Sequence, residues 1–374
     1  MREDSITDRQ FAAAVFTAVL SPMLRVLPRI AAVSAGRWAW LTVPAALPLL
    51  LVLALLMGSL RRSLAPGEGA AGLFLRAFGP VAGRVLLALY AGWFLFYAGF
   101  ILRSGAERLT AAAYQHSGPE PFLLATLAAA LLAALGTLRG AARTGVVFRA
   151  VLLTVLGAAL VLSLPNIEAA NLRPLGPVPV RSLPDGARSV AAVGGTAALF
   201  SFLRGYTAPG GRGAARLLLP PLALFVAVAA ALCLVPVGVF GAALTARLSY
   251  PFFTMVRDLS VLGVTQRFEA VVIALWVSAD FLLCVLLLRC AHEALRVMLR
   301  LPAPEGASAP RSLRGGRWLL LPEAAAAGAC ALALPAAAED FRLWSEQLVP
   351  LLMCLFVYGG FPLLWLVGKL RKKL

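Results

Sequence analysis

Acidic residues are scarce in this chain and histidine is almost missing. Its 374 residues include 17 aspartates and glutamates, against 34 lysines and arginines, and two histidines, His116 and His292. The histidines sit on different segments with no metal-ligand spacing between them. The five cysteines (Cys233, Cys284, Cys290, Cys330 and Cys354) fall in or beside apolar runs and form no CxxC pair. That excludes a disulfide framework and a zinc site, and leaves each cysteine to be read as a small hydrophobe. No GxSxG, HExxH, Walker loop or paired intramembrane histidine and carboxylate is read in the sequence. An enzyme is therefore not expected, and neither a catalytic residue, a metal nor a cofactor is assigned. The start lacks a charged region, a short apolar stretch and a small-residue cleavage site in succession, so no removable signal peptide is expected.

Charge of either sign is also thin. Charged residues make up 14% of the chain, where a soluble domain carries roughly 25%. Hydrophobic residues reach 61% and the mean hydropathy is +0.87. Repeated apolar runs of about twenty residues cannot all be core helices, so the chain reads as a polytopic membrane protein in contact with the lipid bilayer. The net charge of +17 does not point to nucleic acid, because the basic residues lie between the apolar runs. That is the pattern of loops facing an anionic cytoplasmic leaflet.

Ten candidate spans follow from hydropathy: 9–34, 38–60, 81–113, 120–138, 144–164, 190–207, 215–240, 267–299, 318–337 and 346–368. Together they predict one polytopic membrane domain over 1–374, with helices one to five over about 9–164, an extracytoplasmic loop over about 165–189, helices six to ten over about 190–368 and a basic tail over 369–374. The third and eighth runs exceed one bilayer crossing and are expected to tilt or project. Basic residues such as Arg2, Arg61, Arg62, Arg139, Arg212, Arg296, Arg311 and Lys372 cluster on one set of loops, which places both termini in the cytoplasm. In the opposite loops, Asn166 to Arg188 is expected to be extended rather than helical, since it carries several prolines. Ala242 to Gln266 is expected to hold a short helix at the outer surface.

Candidate site residues come from interruptions and from ionisable groups inside spans. Ser21 and Pro22 interrupt span one, followed by Met23, Leu24 and Arg25. Proline removes a backbone hydrogen bond, and hydrocarbon supplies no replacement donor. Either a plain kink or an unwound, ligand-facing turn follows, as in transporters with discontinuous helices. Gly194-Gly195-Thr196 in span six allows a matching break or close helix packing. Asp280, with Ser278 beside it and Trp276 and Cys284 on its helical face, is costly in a membrane. It can bind an amine, a proton or a cation, or form a structural ion pair, for which Arg25 is the candidate partner. Arg25 and Arg29 attract a carboxylate or snorkel to the interface. The aromatic stripe of Tyr90, Trp93, Phe94 and Tyr97 reads as a packing surface. The ten spans, the five-plus-five layout and the span-six glycines, joined to the family resemblance given next, favour a ligand-facing turn at Ser21-Pro22.

Ordered pieces along the chain resemble the B-subunit family of spore germination receptors, the endospore germination permeases of the amino acid/polyamine/organocation superfamily. They are Ile6-Thr7-Asp8-Arg9-Gln10-Phe11, Leu27-Pro28, Trp38-Ala39-Trp40-Leu41, Tyr90 through Arg103 with Glu107, Ala142-Arg143 and Asn171-Leu172-Arg173-Pro174. The most specific stretch is Gly238-Val239-Phe240-Gly241, then Tyr250-Pro251, Arg257-Asp258 and Arg267-Phe268-Glu269-Ala270 leading to Trp276. The resemblance implies an all-α membrane fold of ten helices, a leucine-transporter-like inverted repeat with helices one and six broken around a central site. It implies a nutrient ligand such as an amino acid, partner A and C subunits and the inner membrane of the spore. This chain departs from the family at His116-Ser117-Gly118-Pro119, where a threonine-proline pair is common, at Thr196, where a glutamate is frequent, and around Asp280 and Leu283, where a lysine is frequent. A proton- or cation-coupled amino acid transporter is the alternative.

Overall fold

A computed structural model of the chain describes residues 6–65, 67–112, 114, 116–173, 176–207, 214–258, 268–301, 314–335, 337–371 and 373. Arg2, Pro174, Arg212, Arg267, Arg311 and Lys372, and the loop stretch 259–266, lie outside the described residues. The fold is all-helical: α1 (Asp8–Ala35), α2 (Thr42–Arg62), α3 (Ala70–Phe78), α4 (Ala82–Ala112), α5 (Glu120–Leu135), α6 (Leu138–Ser163), α7 (Ala169–Leu172), α8 (Leu183–Leu199), α9 (Ala214–Arg247), α10 (Pro251–Arg257), α11 (Phe268–Met298), α12 (Leu320–Ala333), α13 (Ala338–Leu343), α14 (Val349–Cys354) and α15 (Phe361–Leu370). Among the described residues, seven helical stretches are long and apolar enough to cross a membrane, the first of which, Asp8–Arg62, holds both α1 and α2. Glu120–Leu135 is a shorter apolar helix. This is a multi-pass membrane protein.

The centre of the bundle is α1, packed against α9, α6, α8 and α11, while α4 lies along α11 and α12. Every residue of α1 from Phe16 to Ala32 is buried, the polar Thr17, Ser21, Arg25 and Arg29 among them. Its start is fixed by a capping box: Thr7 accepts from the Gln10 amide and Gln10 returns a bond to the Thr7 amide, which satisfies two otherwise orphan donors.

The expected break at Ser21-Pro22 is not an unwound turn. Helix α1 runs through Pro22 and Pro28 without leaving helical geometry. Neighbours on every side hold the segment, so the single hydrogen bond lost at Pro22 is absorbed in place. Thr17 also bonds both the Ala13 carbonyl at 2.9 Å and the Gly145 carbonyl of α6 at 3.0 Å. Span six is likewise α-helical through Gly194, Gly195 and Thr196. It tightens later, into a 3₁₀ segment over Phe200–Tyr206. Seven residues is long for this geometry.

Other expectations shift at their edges. Helix α6 starts at Leu138, several residues before the expected 144, because Thr137 caps it by accepting from the Gly140 amide. The segment expected to be extended contains the helical turn α7 and the first turns of α8, where Pro184 sits in the tolerated first-turn position. Helix α10 exists as expected but lies inward: Pro251, Phe252, Phe253, Met255 and Val256 are buried. Helix α3 was not anticipated; it buries Leu73, Phe74 and Ala77. The last rod, α13 to α15, contains two π-helical turns, Trp344–Leu348 and Leu355–Gly360. Gly241 breaks α9 at φ +74°, a conformation that favours glycine. Beside it, the Glu168 amide and the Asn171 side-chain amide both donate to the Gly238 carbonyl, at 3.1 and 3.0 Å.

Candidate functional site

Four arginines that sequence position assigned to loops or an interface are buried where α1, α4 and α11 meet: Arg25, Arg29, Arg103 and Arg108, none above 8% exposed. Three of them meet a carboxylate. Arg108 pairs with Asp280, which also accepts from the Ser21 hydroxyl. Arg29 pairs with Glu346 in the first π turn of the last rod. Arg103 bonds Glu107 one turn on, at 2.6 Å.

Arg25 differs. Its Nη1 donates to two neutral hydroxyls, Ser104 at 3.2 Å and Ser345 at 3.0 Å. Its guanidinium lies 4.8 Å from the centre of the Phe100 ring, and its Nε has no hydrogen-bond partner among the described residues. Arg108 Nη1 and the Trp276 indole N–H are also buried without partners there. The Arg108 guanidinium lies 5.1 Å from the Trp276 ring centre, and that ring stacks on Phe253 of α10 at 5.5 Å. Tyr250, which precedes α10, meets the Trp276 edge at 6.0 Å; burial pushes its phenol above the ordinary value, so it stays neutral. Among the described residues, Arg25 and Arg108 have one bonded carboxylate between them, Asp280, and several donors beside them are unsatisfied. A buried charge without a counter-ion is costly, and an anionic group is what such a place accepts.

The sequence candidates separate. Ser21, Arg25 and Asp280 come together, though Asp280 takes Arg108 as its ion-pair partner rather than Arg25. Arg25 and Arg29 do not snorkel; both are buried. Pro22 is buried within the helix, and Met23 and Leu24 pack into the apolar cluster that includes Phe16, Val19 and Leu27. Thr196 turns back to the Ala192 carbonyl at 3.3 Å and touches Met353 sulfur at 3.9 Å. A Cβ on Gly195 would meet Val357 at 3.1 Å and Tyr358 at 3.3 Å, so close packing with the last rod is what this glycine serves. Gly194 faces another way, toward Leu50 and Phe225. The aromatic stripe is a packing surface: Trp93 stacks on Phe356 at 5.1 Å, and Tyr90 donates to the Phe356 carbonyl at 2.6 Å.

Two groups escaped the sequence reading. Arg108 falls in the part of span three expected to project beyond the bilayer; the usable signal was the four-residue spacing of Phe100, Ser104 and Arg108, which puts them on one helical face. A paired histidine and carboxylate, read as missing from the sequence, is present. His292 Nδ1 lies 3.3 Å from Glu323 Oε1, both side chains almost wholly buried. Tyr206 and Arg296 converge nearby on Glu293, at 3.2 and 2.6 Å. These contacts join residues of α11 to α12 and to the 3₁₀ end of span six, so linear spacing could not reveal them.

Nearly the whole chain aligns with solved structures. A Na+-coupled sialic acid symporter, in its substrate-bound outward-open state, matches 95% of this chain over 79% of its own, with 11% identity and a TM-score of 0.56. MhsT in complex with L-phenylalanine matches 98% of this chain over 100% of its own, with 12% identity and a TM-score of 0.58. The chain therefore shares its fold with these two proteins. No curated protein sequence matches the chain. The family model for spore germination proteins, the spore permeases, matches residues 5–303. This permease-like membrane protein belongs to the spore germination protein family.

Proposed function

We propose that the chain is the membrane subunit of a spore germinant receptor that binds a small carboxylate-bearing nutrient, an amino acid, and works with A and C subunits in the inner membrane of the spore. In this reading ten helices cross the membrane as a five-plus-five inverted repeat, and both termini are cytoplasmic. The ligand site lies among Ser21, Arg25, Asp280 and Trp276. The observation that carries it is Arg25, a buried guanidinium whose hydrogen bonds among the described residues go to neutral hydroxyls. A ligand carboxylate supplies the missing counter-charge, and binding then favours whichever conformation presents Arg25 to it.

The test is saturable binding of a radiolabelled amino-acid germinant to the purified complex. Arg25→Gln is expected to weaken binding about tenfold to a hundredfold, the worth of a charge-assisted hydrogen bond. Thr196→Trp, one helix away, reports whether the pocket extends to span six. Full affinity in Arg25→Gln removes the proposal. The second reading, a proton- or cation-coupled amino acid transporter, draws on the fold it shares with a Na+-coupled symporter. It predicts gradient-driven uptake in proteoliposomes that Asp280→Asn abolishes, and absence of uptake under any gradient sinks it.

A further inference from the structure

A second, separate cavity lies between α1, α2, α8 and α9, with a volume of about 180 Å³. Its walls are almost wholly apolar, including Phe11 and Val15 of α1, Leu53 and Met57 of α2, and Leu222 and Phe225 of α9. Gly194 and Ala197 open onto it from α8, and Ala197 is exposed although its neighbours Thr196 and Ala198 are buried. An apolar cavity of this size does not hold water; it stays dry and takes up apolar molecules.

One end is different. Arg61, Ser201 and Arg204 line the cavity there. Asp8 is the shared partner of both arginines, at 2.9 Å from Arg61 and 2.5 Å from Arg204. Two cations thus share one anion. Arg61 Nη1 and the Ser201 hydroxyl are buried with no hydrogen-bond partner among the described residues, and Ser201 is only 9% exposed. The cavity is therefore an apolar slot with an excess positive charge and spare donors at one end. Those are the two halves of an anionic amphiphile, and the surrounding bilayer supplies such molecules. Basic pockets between membrane helices bind anionic lipid headgroups for the same reason.

We propose that this slot holds one acyl chain of an anionic phospholipid, with the phosphate against Arg61 and Arg204 and a hydrogen bond from Ser201. A lipid bound there touches α1, α2, the end of span six and α9 together, so it cross-braces the helices that flank the buried arginine cluster. The proposal does not depend on the identity of the germinant.

The test is native mass spectrometry of the detergent-purified full chain with equal amounts of phosphatidylglycerol and phosphatidylcholine of the same acyl chains. Phosphatidylglycerol is expected to be retained about fivefold over phosphatidylcholine, the value of one net charge at such a site. Ala197→Phe, which fills the slot, is expected to lose the retained lipid; Ala54→Phe on the facing wall serves where Ala197→Phe is not monodisperse. Arg61→Gln is expected to erase the preference between headgroups while leaving lipid bound. Equal retention of the two lipids by the unaltered protein overturns the proposal and identifies ordinary annular lipid. So does unchanged retention in a monodisperse slot-filling variant, or a full headgroup preference in Arg61→Gln.

Discussion

At the scale of single residues, the membrane interior turns each ionisable group into a question about its partner. Asp280 was legible in the sequence because an aspartate inside an apolar run is rare and costly. Its partner was not, since Arg108 lies 172 positions away in a segment whose basic residues fit a loop equally well. The close approach is prepared by Gly105, where a Cβ would sit 2.9 Å from Asp280 Oδ2. Removing one member of a buried pair strands the other charge, at a cost of about 3–5 kcal/mol, whereas replacing both members by neutral groups is far milder. Asp280→Asn is therefore expected to lower the stability of the purified protein by that order, and Asp280→Asn with Arg108→Met to recover most of it. Thermal denaturation in detergent of the unaltered protein, Asp280→Asn, Arg108→Met and the double variant measures the coupling. A double variant as unstable as the single one makes Asp280 something other than the counter-ion of Arg108.

At the scale of elements, hydropathy located the long helices well and their interruptions poorly. Apolar length is written locally, so α4 and α11 fall within a residue or two of expectation. Whether a proline opens a helix depends on what surrounds it; Pro22 is buried, in a helix walled in by α6, α8, α9 and α11. Local sequence carries no record of those neighbours. One close contact on α1 is at Gly145 of α6, where a Cβ would lie 2.6 Å from the Ala14 Cα; the Thr17 hydroxyl crosses the same seam. Gly145→Val is expected to force α6 from α1 and to destabilise the protein by about 1–3 kcal/mol, the usual cost of overpacking. Pro22→Ala, which restores an amide donor toward the Ala18 carbonyl within a continuous helix, is expected to leave the melting temperature unchanged or raise it. Melting curves decide both; a marked drop in Pro22→Ala means that α1 needs its proline for a bend that packing alone does not impose.

For the whole molecule, the buried arginine cluster is shut by contacts at both ends of α1. At one end Asp8 gathers Arg61 of α2 and Arg204 of span six, and the Ile6 amide bonds the Tyr206 carbonyl at 3.0 Å. At the other, Arg29 and Arg25 hold Glu346 and Ser345 of the last rod. In the proposed receptor reading, a ligand reaches Arg25 when one of these ties opens. The Arg29–Glu346 tie is the natural one to release, because Glu346 is the more exposed partner, at 25% for its side chain, and sits in a π turn, where backbone geometry is readily altered. Ser104, 1% exposed and bonded to Arg25, reports on the opening. Placed as Ser104→Cys in a background freed of its own cysteines, it is expected to resist a water-soluble maleimide. Adding Glu346→Gln is expected to raise its labelling rate by about five- to a hundredfold, corresponding to a coupling of roughly 1–3 kcal/mol. A carboxylate germinant that bridges to Arg25 should then slow the labelling again, because it selects the closed arrangement. Labelling indifferent to Glu346→Gln would mean that this end of α1 is held by packing, and that entry to the cluster lies at the Asp8 end instead.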